Sequence, residues 1–306
     1  MADIKFGVTY SERDDFTDLP AYARGVEELG FDSLWVTENI SSGAPALECF
    51  TALSFMAAHT SRLAVGTSVL LLPLRNPVLV AQTVASLDVL SGGRAVLGVG
   101  VGEDTPDFGA YGGDVRKRAS RSDEALEVMK RLWTEESVTF HGKHFHMDDY
   151  SLVPKPVQKP HPPVHVGGGA ASVVRRAGKF ADSLIPVSKT PTEAKAMFER
   201  AEEQARESGR GDSAMTRAMH LFLCFAGSAE ESAEIASGVY TRRYARDTHI
   251  PADAPHLLGT PERILEMLQE FIDVGVTEFV MNVACPPEEG LAQAERFARE
   301  VMPGFR

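Results

Sequence analysis

The stretch from Leu63 to Glu103, LAVGTSVLLLPLRNPVLVAQTVASLDVLSGGRAVLGVGVGE, decides the fold. An apolar β-branched run at 63–72 leads through a proline-containing turn into a segment of helical period at 77–90. A Ser-Gly-Gly-Arg turn then opens a second β-branched run at 95–101. Strands that are apolar on both faces belong to a buried parallel sheet, so this is one β-α-β unit. The second strand ends in Gly98, Gly100 and Gly102, with Glu103 directly after. Glycines at that end let backbone approach a flat ligand closely. An acid there stands where α/β sheets and barrels build their sites.

Outward from this unit the same alternation runs from end to end. Before it come strands at 4–9 and 33–37 and helices at 16–29 and 47–59; Thr17 and Asp18 are available to start the first helix, which Gly30 closes. After it come a helix at 121–134, strands at 164–166, 183–187, 221–225 and 278–283, and helices from 172, at 192–208, 229–244, 261–274 and 291–301. Eight strands, each followed by helix, in 306 residues predict an α/β fold, a closed (β/α)8 TIM barrel forming one domain over 1–306. Excursions interrupt it at about 104–118, 135–163 and 245–259. The segment at 135–163 carries the hairpin-like VTFHGKHFHM and then five prolines. Those after the fourth strand and near 245–259 are expected over the active face, as long functional loops are.

Composition narrows the function. With 43% apolar and 24% charged residues the chain can bury a large core. A net charge of -12 without a basic stripe argues against nucleic acid. Cys49, Cys224 and Cys285 lack C-x-x-C spacing, which suggests neither disulfide framework nor zinc site and fits a reduced, cytoplasmic chain. MADIKFGVTY enters a strand at once, and no stretch nears about 20 uninterrupted apolar residues, so no membrane segment is expected.

GTSVL, RNP and LSGGRAVLGVGVGE together resemble the luciferase-like flavin-dependent oxidoreductases, particularly their deazaflavin branch, which uses coenzyme F(420). KPVQKPHPPVHVGGG, LLGTPER and VMPGF extend the resemblance over nearly the whole chain. It implies a flavin or deazaflavin lying across the barrel's C-terminal mouth. Glu103 matches the catalytic acid of the branch's dehydrogenases, a proton donor as hydride moves. Enclosed by apolar strand ends, its carboxyl would have a raised pKa. At Ser68 and Val69 the family often has a non-prolyl cis peptide that supports the ring from behind, with Gly100 and Gly102 alongside. The loop Gly167, Gly168, Gly169 and Ala170 precedes a helix N-terminus, a ready phosphate cradle, and the resemblance gives it the phosphate of the cofactor's ribityl chain. Glu38 and Asn39 occupy a cofactor-contacting position where the family commonly has an acid and then histidine. An amide cannot accept a proton near neutral pH, so a histidine-based mechanism does not carry over.

Other residues stand on their own chemistry. Arg75 either contacts an anion of substrate or cofactor or pairs with a neighbouring acid. Trp35 and Trp133 read as packing residues. His141, His144 and His146 read as solvated hairpin histidines, so no metal is expected. Asp123, Glu124 and Glu127 read as a solvent face.

The leading reading is F(420)-dependent hydride transfer to or from a small organic substrate; the alternative is an FMN-dependent monooxygenase fed by a separate reductase. A flavin-free phosphate-binding barrel enzyme and a non-catalytic flavin-binding protein complete the alternatives. Helix 47–59, apolar around Phe50, Leu53, Phe55 and Met56, is expected with its neighbour to form a homodimer interface.

Overall fold

Chain-local chemistry starts and stops the elements. In the computed structural model, which describes residues 3–10, 16, 18–40, 45–103, 106–211, 215–244 and 247–306, the chain opens with β1 (Lys5–Tyr10), α1 (Leu19–Glu28), β2 (Ser33–Val36) and α2 (Cys49–Ala57). Then come β3 (Ala64–Thr67), β4 (Leu70–Leu71), α3 (Pro77–Ser91), β5 (Ala95–Gly100), α4 (Pro106–Ala110) and α5 (Arg118–Thr134). A hairpin, β6 (Val138–His141) and β7 (His146–Tyr150), precedes β8 (Val164–Gly167), α6 (Ala171–Phe180), β9 (Ser183–Ile185) and α7 (Pro191–Glu207). The chain closes with β10 (Thr216–Phe225), α8 (Ala229–Tyr244), β11 (Leu257–Gly259), α9 (Pro261–Asp273), β12 (Glu278–Val283) and α10 (Gly290–Glu300).

Caps show why the boundaries fall where they do. Asn76 accepts the Val78 N–H at 2.9 Å to start α3, with Pro77 in the first turn, and Gly92 ends it in the left-handed region at φ 71°. Thr190 and Glu193 form a reciprocal capping box on α7. Thr17, an expected cap of α1, lies outside the described residues, and Asp18 does not cap either: its carboxylate accepts the Tyr10 hydroxyl at 3.1 Å.

Among the described residues, β1, β2, β3, β5, β8, β9, β10 and β12 pair in parallel in that order, and β12 pairs with β1, closing the barrel. Inward positions in the register include Gly7, Ser33, Trp35, Gly66 and His165. Trp35 fills the lumen: a Cβ at Gly7 would lie 2.5 Å from its Nε1, and one at Gly66 2.5 Å from its ring. With His165, whose ring centroid is 5.5 Å away, it forms a closed floor. Only the C-terminal half of the barrel is left for a ligand.

Of the two helices that the sequence places after the seventh strand, α9 is the one that leads to β12, because β11 continues the pairing of the last residues of β10, Leu223 with Leu257. That leaves α8 as an insertion at the mouth, where Tyr240 stacks at 4.3 Å from Phe222 and Arg243 reaches Asn282 at 3.4 Å. The segment at 135–163 does not cover the mouth, because it follows α5, which runs back from it. The hairpin lies along α5, its turn held by Glu124, which accepts the N–H of Lys143 at 2.9 Å and of His144 at 2.8 Å. The proline-rich return sits at the opposite end: Gln158 donates to Asp88 and to the Ala95 carbonyl at the start of β5. The excursions near 104–118 and 245–259 fall partly outside the described residues, at 104–105 and 245–246. Among the described residues no helix is long and apolar enough to cross a membrane.

Candidate functional site

One half of the mouth, from β3 to β9, is built from backbone. Strand β3 stops at Thr67, the Ser68–Val69 peptide is cis, and β4 resumes pairing with β5 at Leu70 and Val99. Thr67 Oγ1 donates to the Gly98 carbonyl at 2.7 Å, and the Gly98 N–H donates back at 3.1 Å. The glycines of the GVGVG run are therefore explained by protein atoms. A Cβ at Gly98 would lie 2.0 Å from the Thr67 carbonyl oxygen, one at Gly100 2.6 Å from Val69 Cγ2, and one at Gly167 2.7 Å from Val69 Cγ1. Val69 is thus wedged between the ends of β5 and β8. Ser68 lies in the break between β3 and β4; its Oγ is buried and has no hydrogen-bond partner among the described residues.

The bulge is braced from β2. Thr37 Oγ1 donates to the Ser68 carbonyl at 2.9 Å, and the Leu71 N–H donates to Glu38 Oε2 at 2.6 Å. The other Glu38 oxygen accepts from Arg75, whose guanidinium also reaches Glu48 at 3.1 Å. An arginine between two carboxylates brings no net positive charge to the mouth. Of the two readings of Arg75, this geometry is the pairing with neighbouring acids. Burial and the two carboxylates push the adjacent Cys49 thiol well above its ordinary range. Glu38, Glu48 and Cys49 are the one trio of such side chains among the described residues whose donor atoms lie within 4.8 Å of one another. The Arg75 guanidinium binds both of its carboxylates.

Glu103 is exposed rather than enclosed by strand ends. Gly102, at φ 73°, turns the chain outward around Phe108, whose ring lies 3.2 Å from where a Gly102 Cβ would be. Across the mouth Gly167, Gly168, Gly169 and Ala170 lead into α6, which starts without any side-chain cap. The Gly168 N–H is used by the Ile185 carbonyl at 3.1 Å. A Cβ at Gly169 would lie 3.1 Å from Lys189 Cε and 3.9 Å from its Nζ. The Lys189 ammonium is shared with Glu193 at 3.5 Å, so the orphan N–H groups of the uncapped α6 start carry most of the preference for an anion.

The other half of the mouth is built from side chains, and the sequence reading missed it. Continuing inward alternation along β10 and β12 brings His220, Phe222 and Asn282 to the lumen. Phe222 is sandwiched between Tyr240 and His256, at 4.3 and 4.1 Å between ring centroids. His256 Nδ1 accepts the Phe222 N–H at 3.4 Å, which leaves Nε2 to donate to Ser188 Oγ at 3.2 Å. Burial, then the charge on Arg243, pushes His220 down to about 4; burial, then His220, pushes His256 down to about 3. Both imidazoles are neutral at neutral pH. A cavity of about 500 Å³ opens between β1, α8 and the end of β12, lined by Thr9, Val239, Arg242, Arg243, Val283 and Pro286 among others. One signal could have found this half. The run MHLFLCF alternates with period two, so extending the expected strand from 221 back to Thr216 turns His220 inward with Phe222.

Candidates elsewhere find local partners. Trp133 is buried and donates to the Ala81 carbonyl at 3.0 Å. His141 and His146 pair across the hairpin, where His141 meets Asp148 at 2.6 Å, and His144 meets Ser120 at 2.8 Å. Asp123 is more than solvent face, since it binds the buried Arg176 at 2.6 Å. In α2, Phe50, Leu53 and Met56 are buried within the chain, leaving Phe55 exposed, as are Leu79 and Leu90 of α3.

The comparisons agree with this architecture. A family model described as luciferase-like monooxygenase matches residues 2–278. An F(420)-dependent glucose-6-phosphate dehydrogenase of Kineococcus radiotolerans is 28% identical, over 94% of this chain and 93% of that protein. Among solved structures, an F(420)-dependent secondary alcohol dehydrogenase in complex with an F(420)-acetone adduct superposes with a TM-score of 0.86 at 24% identity, covering 99% of each chain. A monooxygenase from Streptomyces bottropensis superposes with a TM-score of 0.84 at 21% identity, covering 99% of this chain and 100% of that one. At these identities the superpositions establish the fold, shared by dehydrogenase and monooxygenase alike.

Proposed function

This chain belongs to the luciferase-like monooxygenase family, and from that premise we propose that it is an oxidoreductase transferring hydride between coenzyme F(420) and a small organic substrate. The observation that carries the reading is the backbone half of the mouth. A wedge at Val69, a buried Ser68 Oγ without a partner among the described residues and an uncapped α6 start beside Lys189 lie along one arc. They suit a flat ring with a phosphate-bearing arm, because the wedge offers an apolar backing and the Gly169–Lys189 gap would be filled by any Cβ. The F(420)-dependent relative, matched over nearly its whole length, supports the deazaflavin over FMN.

In this reading Gly167, Gly168, Gly169 and Ala170 would hold the phosphate, with Lys189 as counter-charge. Ser68, Val69, Gly100 and Gly102 would back the ring, and Asn39 would offer its amide to the ring edge. Glu38 and Arg75 would brace the wall without touching substrate. Glu103, at the exposed rim, would exchange a proton between its carboxyl and solvent as charge changes at the mouth. A bound deazaflavin supplies a ring carbon that takes or gives hydride and resists oxygen, whereas reduced FMN reacts with oxygen. We also propose a cytoplasmic homodimer through α2 and α3, where Phe55, Leu79 and Leu90 are 48%, 63% and 82% exposed.

The test is a titration of the purified chain with F(420) and with FMN, each oxidised and reduced, followed by ring fluorescence and thermal shift. Tight binding of the deazaflavin alone is expected. Binding of FMN alone would turn the reading into a reductase-fed monooxygenase. Binding of neither would return it to a flavin-free barrel that uses the α6 start for substrate phosphate.

A further inference from the structure

The register that turns His220 inward also sets it between Val187 and Val280, its bridge and ladder partners on the neighbouring strands. Phe222 packs edge-on against it at 5.9 Å between centroids. Its ring is half-buried, while Nδ1 is shut away with no hydrogen-bond partner among the described residues. A buried N–H left without an acceptor is rarer and more costly than a bare lone pair. The tautomer that fits places the proton on Nε2, toward the open part of the ring. Since Trp35 and His165 close the lumen below, that opening faces the mouth, on the side where Phe222 and Arg243 stand. A hydrogen-bond donor fixed in such a wall selects a polar atom of a ligand.

We propose that His220 holds the substrate's reacting oxygen, donating a hydrogen bond from Nε2–H to a carbonyl or hydroxyl oxygen in the chamber between β10, β12 and the α8 roof. The inference rests on the hydride-transfer reading and adds to it one residue that positions the oxygen on the reacting carbon. The proton stays on Nε2, so His220 orients the oxygen and stabilises negative charge on it without being consumed. Burial first, and then the charge of Arg243, which donates to Asn282 Oδ1 at 3.4 Å, keep the imidazole neutral. His256, fixed by Ser188 and the Phe222 N–H, holds the apolar wall in place.

The experiment is an NMR titration of protein labelled with ¹⁵N-histidine, with and without F(420), using cyclohexanone, cyclohexanol and, as the oxygen-free control, methylcyclohexane. His220 is identified as the imidazole missing from His220→Phe. A saturable shift of its Nε2–H with the two oxygen-bearing probes and none with the control is expected. For any oxygen-bearing substrate, His220→Phe should lower kcat/KM about 10²-fold, and His220→Gln, which keeps an N–H donor, should recover most of it, with coenzyme affinity unchanged in both. A His220 signal that ignores both oxygen-bearing probes would overturn the proposal, as would undiminished turnover in His220→Phe. If the parent binds no deazaflavin, the hydride-transfer reading falls, while the coenzyme-free titration still decides His220.

Discussion

The two halves of the barrel mouth are made of different materials. From β3 to β9 the wall is backbone: glycines opposite Thr67 and Val69, a bulge at Ser68–Val69 and the bare start of α6. From β10 to β12 it is side chain: two neutral imidazoles, two aromatic rings and a buried arginine brought in by the inserted α8. Backbone features hold a ligand every relative would share, because N–H groups and the absence of Cβ atoms do not depend on side-chain identity. Side-chain features can be exchanged without touching the barrel, so that half is where substrate choice belongs.

The comparison breaks most sharply at Gly98. Gly98→Ala would drive a methyl against the Thr67 carbonyl 2.0 Å away, and backbone offers no flexible end to move aside. A loss of about 3 kcal/mol or more is expected in chemical denaturation, with coenzyme binding weakened together with it. Wild-type stability and binding in this variant would show that the bulge is not a rigid wall.

Acid should strike the opposite half. His220 and His256 are held well below the ordinary imidazole value of 6.5. The unfolded chain therefore takes up protons that the fold refuses. The stabilisation is complete above about pH 6.5 and lost as pH falls toward 4, worth about 3 kcal/mol from His220 alone. Denaturation midpoints measured between pH 7 and 4.5 should fall in the parent and flatten in His220→Gln. An equal slope in both would remove His220 from the account.

Glu103→Gln separates chemistry from binding. Single-turnover hydride transfer should slow about 10²-fold while coenzyme affinity stays put; an unchanged rate would take Glu103 out of the mechanism. Lys189→Ala gives the smallest effect, about tenfold weaker coenzyme binding, with a shallower salt dependence than the parent. If affinity does not move, the phosphate rests on the α6 N–H groups without Lys189.

The eight-strand rhythm was legible because both periodicities and turn residues are local. The helix at 77–90 and the strand at 95–101 stand within a residue of α3 and β5. The site was legible unevenly. Gly100 and Gly167 stood out, yet their reason, the Val69 side chain that both receive, joins residues far apart in sequence. Arg75 and Glu38 were each singled out, but not as partners. His220 lay one residue outside the expected strand, and α8 had the period of an ordinary barrel helix.

By itself, then, the sequence determined the number and order of the barrel strands, the buried character of its sheet and the glycine-rich rim, all consequences of near-neighbour patterns. Only the tertiary structure decided which helix belongs to the barrel and which roofs it. It alone brought His220, Phe222, Asn282, Arg243 and His256 to one chamber. Closure of the sheet and the pairing of β11 with β10 set those positions, and strand pairing between distant segments depends on register and shear that no local window contains.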